Sequence, residues 1–155
     1  MAARRERGSV SIEVAVLAPA FIGLMVLAGV AGRTAVADQA VESAAHDAAR
    51  AASIARDART GRAAAADAAR HQLDWAGLRC TRAPALRFRG SVGGSTSSFA
   101  AAYGSPAGVP ATVTVTVTCQ VSFRDLQAPG LPGVPGTKTV SASFTSPLDT
   151  YRSRR

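Results

Sequence analysis

Residues 8–32, GSVSIEVAVLAPAFIGLMVLAGVAG, decide the architecture of this 155-residue chain. From position 14 to 32, nineteen residues carry no charge and nothing more polar than glycine. About 20 apolar residues on an α-helix cross a hydrocarbon core of about 30 Å, so the run is just long enough to span a bilayer. A core helix of a small domain would show a polar face, and this run shows none. The reading is a single membrane-spanning helix.

Its flanks predict an orientation. Arg4, Arg5 and Arg7 precede the run, offset by Glu6, whereas Arg33 alone follows it, with Asp38 soon after. The excess of arginine predicts a cytoplasmic N-terminus and places everything after Arg33 outside. Glu13 sits at the mouth of the run, where a carboxylate drawn to bilayer depth costs about 2.5–3.5 kcal/mol. It can rest in the headgroup layer with no role. It also stands four residues after Ser9, one helical turn away on the same face. A cut after Gly8 would give Ser9 a new α-amine, and Glu13 could be its counter-ion within the chain or on a neighbour.

A basic leader ending in glycine, four residues, a glutamate and then an apolar helix resembles the class III signal of type IV pilin-like proteins. The run RRERG-SVSIE-VAVLAPAF, with Pro19 six residues after Glu13, is similar to the start of TadE-like proteins of tight-adherence (Tad) pilus systems. The resemblance implies that Gly8 and Ser9 flank a prepilin-peptidase cut and that Glu13 is the glutamate at the fifth mature position. It further implies a non-catalytic pilus assembly protein whose partners are the membrane, the prepilin peptidase and other pilus subunits. Major Tad pilins usually carry tyrosine after this glutamate and are much shorter. Val14 and the more than one hundred residues beyond the run favour a minor pilin or pseudopilin.

Two other readings use fewer of these residues. One is an uncleaved single-pass anchor carrying a binding head. The other is a secreted protein, because Ala35-Val36-Ala37 forms an A-x-A signal-peptidase site after the apolar run.

The expected division is a leader at 1–8, a membrane helix at 9–33, an amphipathic rod at 34–60 and an α+β head at 61–155. Pro19 removes one backbone hydrogen bond from the membrane helix. Ala28 and Gly32, four apart with Gly29 beside them, give a small face that permits helix packing. From 34 to 59 the chain is alanine-rich without proline or glycine. Val36, Ala40, Ala44, Ala48, Ala51 and Ala55 recur at helical steps as one apolar stripe. Asp38, Glu42, Asp47, Arg50 and Arg56 lie largely off it. Thr60-Gly61 reads as a break, followed by a helix over 62–75 with Ala66, Ala69 and Leu73 inward and Trp75 as a lid over the core.

The second half changes character. Residues 86–89 alternate briefly as a strand, and 90–110 read as a long mobile loop that Phe99 and Tyr103 could pin down or use to present a contact surface. From 112 to 123 alternation is strict, with Val113, Val115, Val117, Cys119, Val121 and Phe123 on one face and threonines dominating the other. The turn-rich PGLPGVPG leads into a second alternating strand at 137–145, with Val140, Ala142 and Phe144 on one face. These strands should pair antiparallel, with a helix over their apolar side. Cys80 and Cys119 are the only cysteines. Outside the membrane they should form a disulfide enclosing about 40 residues and contributing about 4 kcal/mol; the alternative is two separate buried thiols.

Apolar residues make up 47% of the chain, but aromatics only 5%, so the core must be thin. The net charge of +8 invites a nucleic-acid reading. Against it, the arginines divide among the leader, the C-terminal YRSRR and helix positions interleaved with acids, so no nucleic-acid partner is expected. His46 and His71 have no partner at metal-ligand spacing, which predicts no metal or other cofactor. No phosphate loop, HExxH or GxSxG occurs, and Asp125 and Asp149 make no convincing acid–base couple. No catalysis is expected.

Overall fold

The computed structural model describes residues 7–123 and 136–151, with side chains from residue 12 onward. The PGLPGVPG connector up to residue 135, Asp125, the leader before Arg7 and the tail after Tyr151 lie outside the described residues. The order is α1 (Arg7–Ile54), α2 (Ala58–Trp75), β1 (Ala85–Val92), β2 (Ser95–Ser97), α3 (Phe99–Tyr103), β3 (Ala111–Ser122) and β4 (Thr137–Pro147). The fold is α+β: a long apolar helix running into an amphipathic one, and a head with an antiparallel sheet and one disulfide.

α1 spans 48 residues as one helix, through Pro19 and past Gly32. Thr34 donates its hydroxyl to the carbonyl of Val30 at 2.8 Å, so the first uncharged polar side chain after the apolar run satisfies itself on its own helix. The chain breaks at residues 55–57, not at Thr60-Gly61. The reason is capping. Asp57 accepts the backbone N–H groups of Arg59 and Thr60 at 2.9 and 3.0 Å, which makes it the N-cap of α2 and places Thr60 and Gly61 inside that helix. The backbone N–H and hydroxyl of Thr60 hold the Asp57 carboxyl below its ordinary value. α2 ends in a Schellman motif: Gly77, at φ 66°, donates to Asp74 and Leu78 donates to Leu73.

The sheet order is β2-β1-β3-β4, antiparallel throughout. β3 is central and alternates as its sequence dictates, with every inward residue from Ala111 to Val121 buried. Outward hydroxyls bond across strands, Thr114 to Thr145 at 2.8 Å and Thr118 to Ser141 at 2.9 Å. The C-terminal half of α1 lies along β3 and β4, α2 packs beside α1, and α3 lies on β1. Ala37, Ala40, Val41, Ala44, Ala45, Ala48, Ala49 and Ala52 form the buried face. This face is wider than the expected stripe and rotated from it: Val36 is exposed, and Ala51 and Ala55 are only half-buried.

Residues 90–110 are not a long loop. They complete β1, turn through Gly93-Gly94 with positive φ at both positions, form β2 and then build α3, capped by the Ser98 hydroxyl on the Ala101 N–H. Phe99 and Tyr103 are buried and hold this segment down. The Tyr103 hydroxyl donates to the carbonyl of Ala52 near the end of α1, and its ring crosses α2 where only Gly61 leaves room. Burial, aided by the negative charge of Asp57, pushes the Tyr103 phenol up to about 12, so it stays a neutral donor. Of the second helix, Ala69 and Leu73 face inward as expected, joined by Gly61 and Ala65, while Ala66 is half-buried. Trp75 is no lid; it is 78% exposed.

A tight joint lies where α3 crosses β1. A Cβ at Gly90 would sit 2.6 Å from the Ser98 carbonyl oxygen and 2.8 Å from the Ala102 Cβ, both fixed in place. Gly90→Ala should therefore lift α3 and destabilise the head by about 1–3 kcal/mol, the range for overpacking. Urea unfolding of the full chain in nanodiscs reads this directly. An unchanged midpoint would mean that α3 does not bear on β1.

Candidate functional site

One helix serves two environments. Along the C-terminal half of α1 the inward side chains are buried to zero or near zero, beginning with Ala37. N-terminal to that point the large apolar side chains stand uncovered, among them Val16, Phe21, Leu24, Met25 and Leu27. No described element of the chain packs on the apolar window, which has a mean hydropathy of 2.4. Nineteen residues at 1.5 Å each cover about 28 Å, close to one hydrocarbon thickness. The helix is long and apolar enough to cross a membrane, and no described element covers its exposed face.

Glu13 is the one ionisable residue of this exposed stretch between residues 12 and 32. Its carboxylate is exposed among Ile12, Val16 and Leu17. Gly8 and Ser9 lie in the first turns of α1, so the backbone places Ser9 and Glu13 one helical turn apart. The transition from uncovered to buried occurs without a linker. The Arg33 guanidinium lies 6.0 Å over the ring of Phe123 at the end of the sheet, and one turn later Ala37 is in the core. Ala35, Val36 and Ala37 are therefore an unbroken part of the helix that joins the two halves.

Cys80 and Cys119 are joined, with Cα atoms 5.4 Å apart. Cys119 lies on the inner face of β3, and Cys80 leaves the cap of α2 to bridge with Val121. The bond thus ties the end of the second helix to the central strand. Of the histidines, His46 sits beside Asp47 at 3.1 Å and edge-on to Phe144 at 4.4 Å, and His71 is exposed. Among the described residues no three His, Cys, Asp or Glu side chains gather as a metal site.

The sequence marked Phe99 and Tyr103 as residues that could pin this segment down, but neither α3 nor the seat they enter was legible in it. Phe88, Phe99 and Tyr103 stack in series at 5.0 and 5.1 Å, with the Arg62 guanidinium 5.2 Å over Phe99. A Ser98 N-cap ahead of FAAAY was the signal available for it.

No curated protein and no solved structure matches the chain. Residues 8–50 match the model of the family described as TadE-like protein. The matched stretch takes in Gly8, Ser9, Glu13, the uncovered apolar face and the first four turns of the buried face. Over residues 8–50, which form the apolar segment and the part of α1 that enters the core of the head, the chain is similar to the TadE-like family.

Proposed function

We propose that the protein is a minor pilin or pseudopilin that acts, without catalysis, in assembling a Tad-type adhesive pilus. The observation that carries this reading is that the TadE-like match takes in the whole apolar part of α1 that no described element covers. The arginines of the leader keep the N-terminus in the cytoplasm, and the head stands outside, where a disulfide between Cys80 and Cys119 persists. Prepilin peptidase cuts between Gly8 and Ser9. The uncovered face of α1 then packs laterally against the helices of other subunits, with Glu13 offsetting the α-amine of its own chain or of a neighbour. Because α1 is continuous, a displacement of the membrane segment moves the head with it.

The first experiment is the mature N-terminus, by intact mass and N-terminal peptide sequencing of protein from native membranes and medium. A chain beginning at Ser9 in the membrane is the expected result. A start at Met1 or Ala2 would return the uncleaved anchor with a binding head, and a start at Asp38 in the medium would defeat the pilus reading. Given a Ser9 start, Glu13→Ala should leave membrane levels unchanged yet reduce surface pili by roughly tenfold or more. An unpaired charge at bilayer depth costs enough for that factor. Undiminished piliation would remove Glu13 from the mechanism.

A further inference from the structure

The direction of α1 defines a base of the head, the end nearest the apolar run, and several features converge there. A crevice of about 200 Å³ is lined by Arg33 and Val36 of α1, Leu78 and Arg79 after α2, and Val121 of β3. It sets the end of α2 level with the first turn after the apolar run. The disulfide and the bridge between Cys80 and Val121 hold the segment that follows at the same level.

This base carries two unusual surfaces. Trp75, the only tryptophan in the chain, is 78% exposed one residue before Ala76, and Val36 is exposed beside the crevice. Next to it a second crevice of about 430 Å³ presents Arg70, Arg79 and Arg82 around Leu78 and Pro84, with Asp74 as the one acid in its lining. Arg70 also pairs with Asp67 at 3.0 Å, which leaves Arg79 and Arg82 as the principal positive charges. An apolar floor ringed by guanidinium groups suits a ligand with a negative head and an apolar body. Tryptophan is the residue that settles at the headgroup level of a bilayer.

We propose that the base of the head docks on the anionic lipid headgroups of the membrane that α1 crosses, with Trp75 in the interfacial layer and Arg79 and Arg82 on headgroup phosphates. The occupant follows from continuity, since the patch adjoins the end of the apolar run, and from charge. The docked base fixes the height and tilt of the head on its anchor. The proposal rests on α1 crossing a bilayer and not on any role in a pilus.

The lone tryptophan makes the test direct. The full chain is reconstituted in phosphatidylcholine vesicles, with or without phosphatidylglycerol, whose acyl chains are brominated near the headgroup. Trp75 emission should be blue-shifted and quenched by bromine, more strongly with phosphatidylglycerol. In Arg79→Ala/Arg82→Ala the docked-to-undocked ratio should fall about fivefold for each arginine removed, the factor carried by one basic residue near an anionic surface. Long-wavelength emission that aqueous iodide quenches and bromine does not would overturn the proposal. So would emission protected from both quenchers, which would place Trp75 under a second copy of the chain. Equal quenching without phosphatidylglycerol would overturn the assignment to anionic lipid. Failure to co-float with vesicles would defeat the membrane reading as well, whereas co-floating without quenching defeats this proposal alone.

Discussion

Replacing both cysteines, Cys80→Ala with Cys119→Ala, should lower the stability of the head by about 4 kcal/mol. The bond joins residues 39 apart in sequence. In the chain-entropy model, closing a loop of about 40 residues removes roughly 13 cal/mol/K from the unfolded chain, about 4 kcal/mol at 25 °C. The enclosed segment holds β1, β2, α3 and most of β3, so opening the bond frees much of the sheet at once. A small domain commonly has only about 5–15 kcal/mol in total. This one fills the interface between α1 and the sheet with alanine and valine, and so belongs near the low end.

Urea unfolding of the full chain in nanodiscs measures the loss. Dithiothreitol on the unmodified chain provides a control that creates no cavity, because it opens the bond and leaves both side chains in place. Agreement between the two would assign the effect to the cross-link. A loss below about 1 kcal/mol in both would show that the unfolded head retains enough structure to make the bond redundant.

How far this head could be read in advance depended on contrast between neighbouring residues. β3 was legible because valine alternates with threonine, and the pleat turns that difference into one buried face and one wet face. The inner face of α1 was legible only in part, at Ala40, Ala44 and Ala48, because alanine occupies so many positions around the helix that the edges of the face cannot be told from their neighbours. Val36, the largest side chain in the expected stripe, is exposed, and the buried face runs through Ala37 and Val41. α2 misled differently. Its buried residues Gly61, Ala65, Ala69 and Leu73 recur every fourth position, and Trp75, two residues beyond Leu73, falls about 200° away. Aromaticity argued for burial, but helical geometry decided against it.

The candidate site divided along the same line. The apolar run is local in sequence and legible from hydropathy, and the processing role proposed for Gly8, Ser9 and Glu13 rests on a resemblance within the same short stretch. Arg70, Arg79 and Arg82 come from α2 and the segment after it, and only the turn at Gly77 and the tie to β3 bring them together. Residues 90–110 looked like a loop because glycine and serine dominate their composition. What orders them is tertiary: a close approach at Gly90 and two aromatic rings that find a pocket.

Those rings set the other large effect. Phe99 is 2% exposed, its ring centre 5.0 Å from Phe88 and 5.1 Å from Tyr103, under the guanidinium of Arg62. Phe99→Ala should cost about 3–5 kcal/mol, the usual range for emptying an aromatic site in a core that relaxes incompletely. Little can move in to fill the space. The core that Phe99 belongs to is mostly alanine and valine, and α3, five residues long, is held by one serine cap, by these rings and by the close seat of Ala102 over Gly90. The loss should spread to the end of α1, because displacing Tyr103 removes one of the two donors to the Ala52 carbonyl and leaves it only the Ala55 N–H. Phe144→Ala is the matched comparison: Phe144 is 38% exposed and touches His46 at the surface, so about 1 kcal/mol or less is expected there. If urea unfolding showed similar costs at both positions, the stacked rings would be incidental to the fold. A large cost at Phe99, with amide exchange rising together in α3 and the last turn of α1, would establish that two aromatics and a glycine gap lock the helical hairpin onto the sheet.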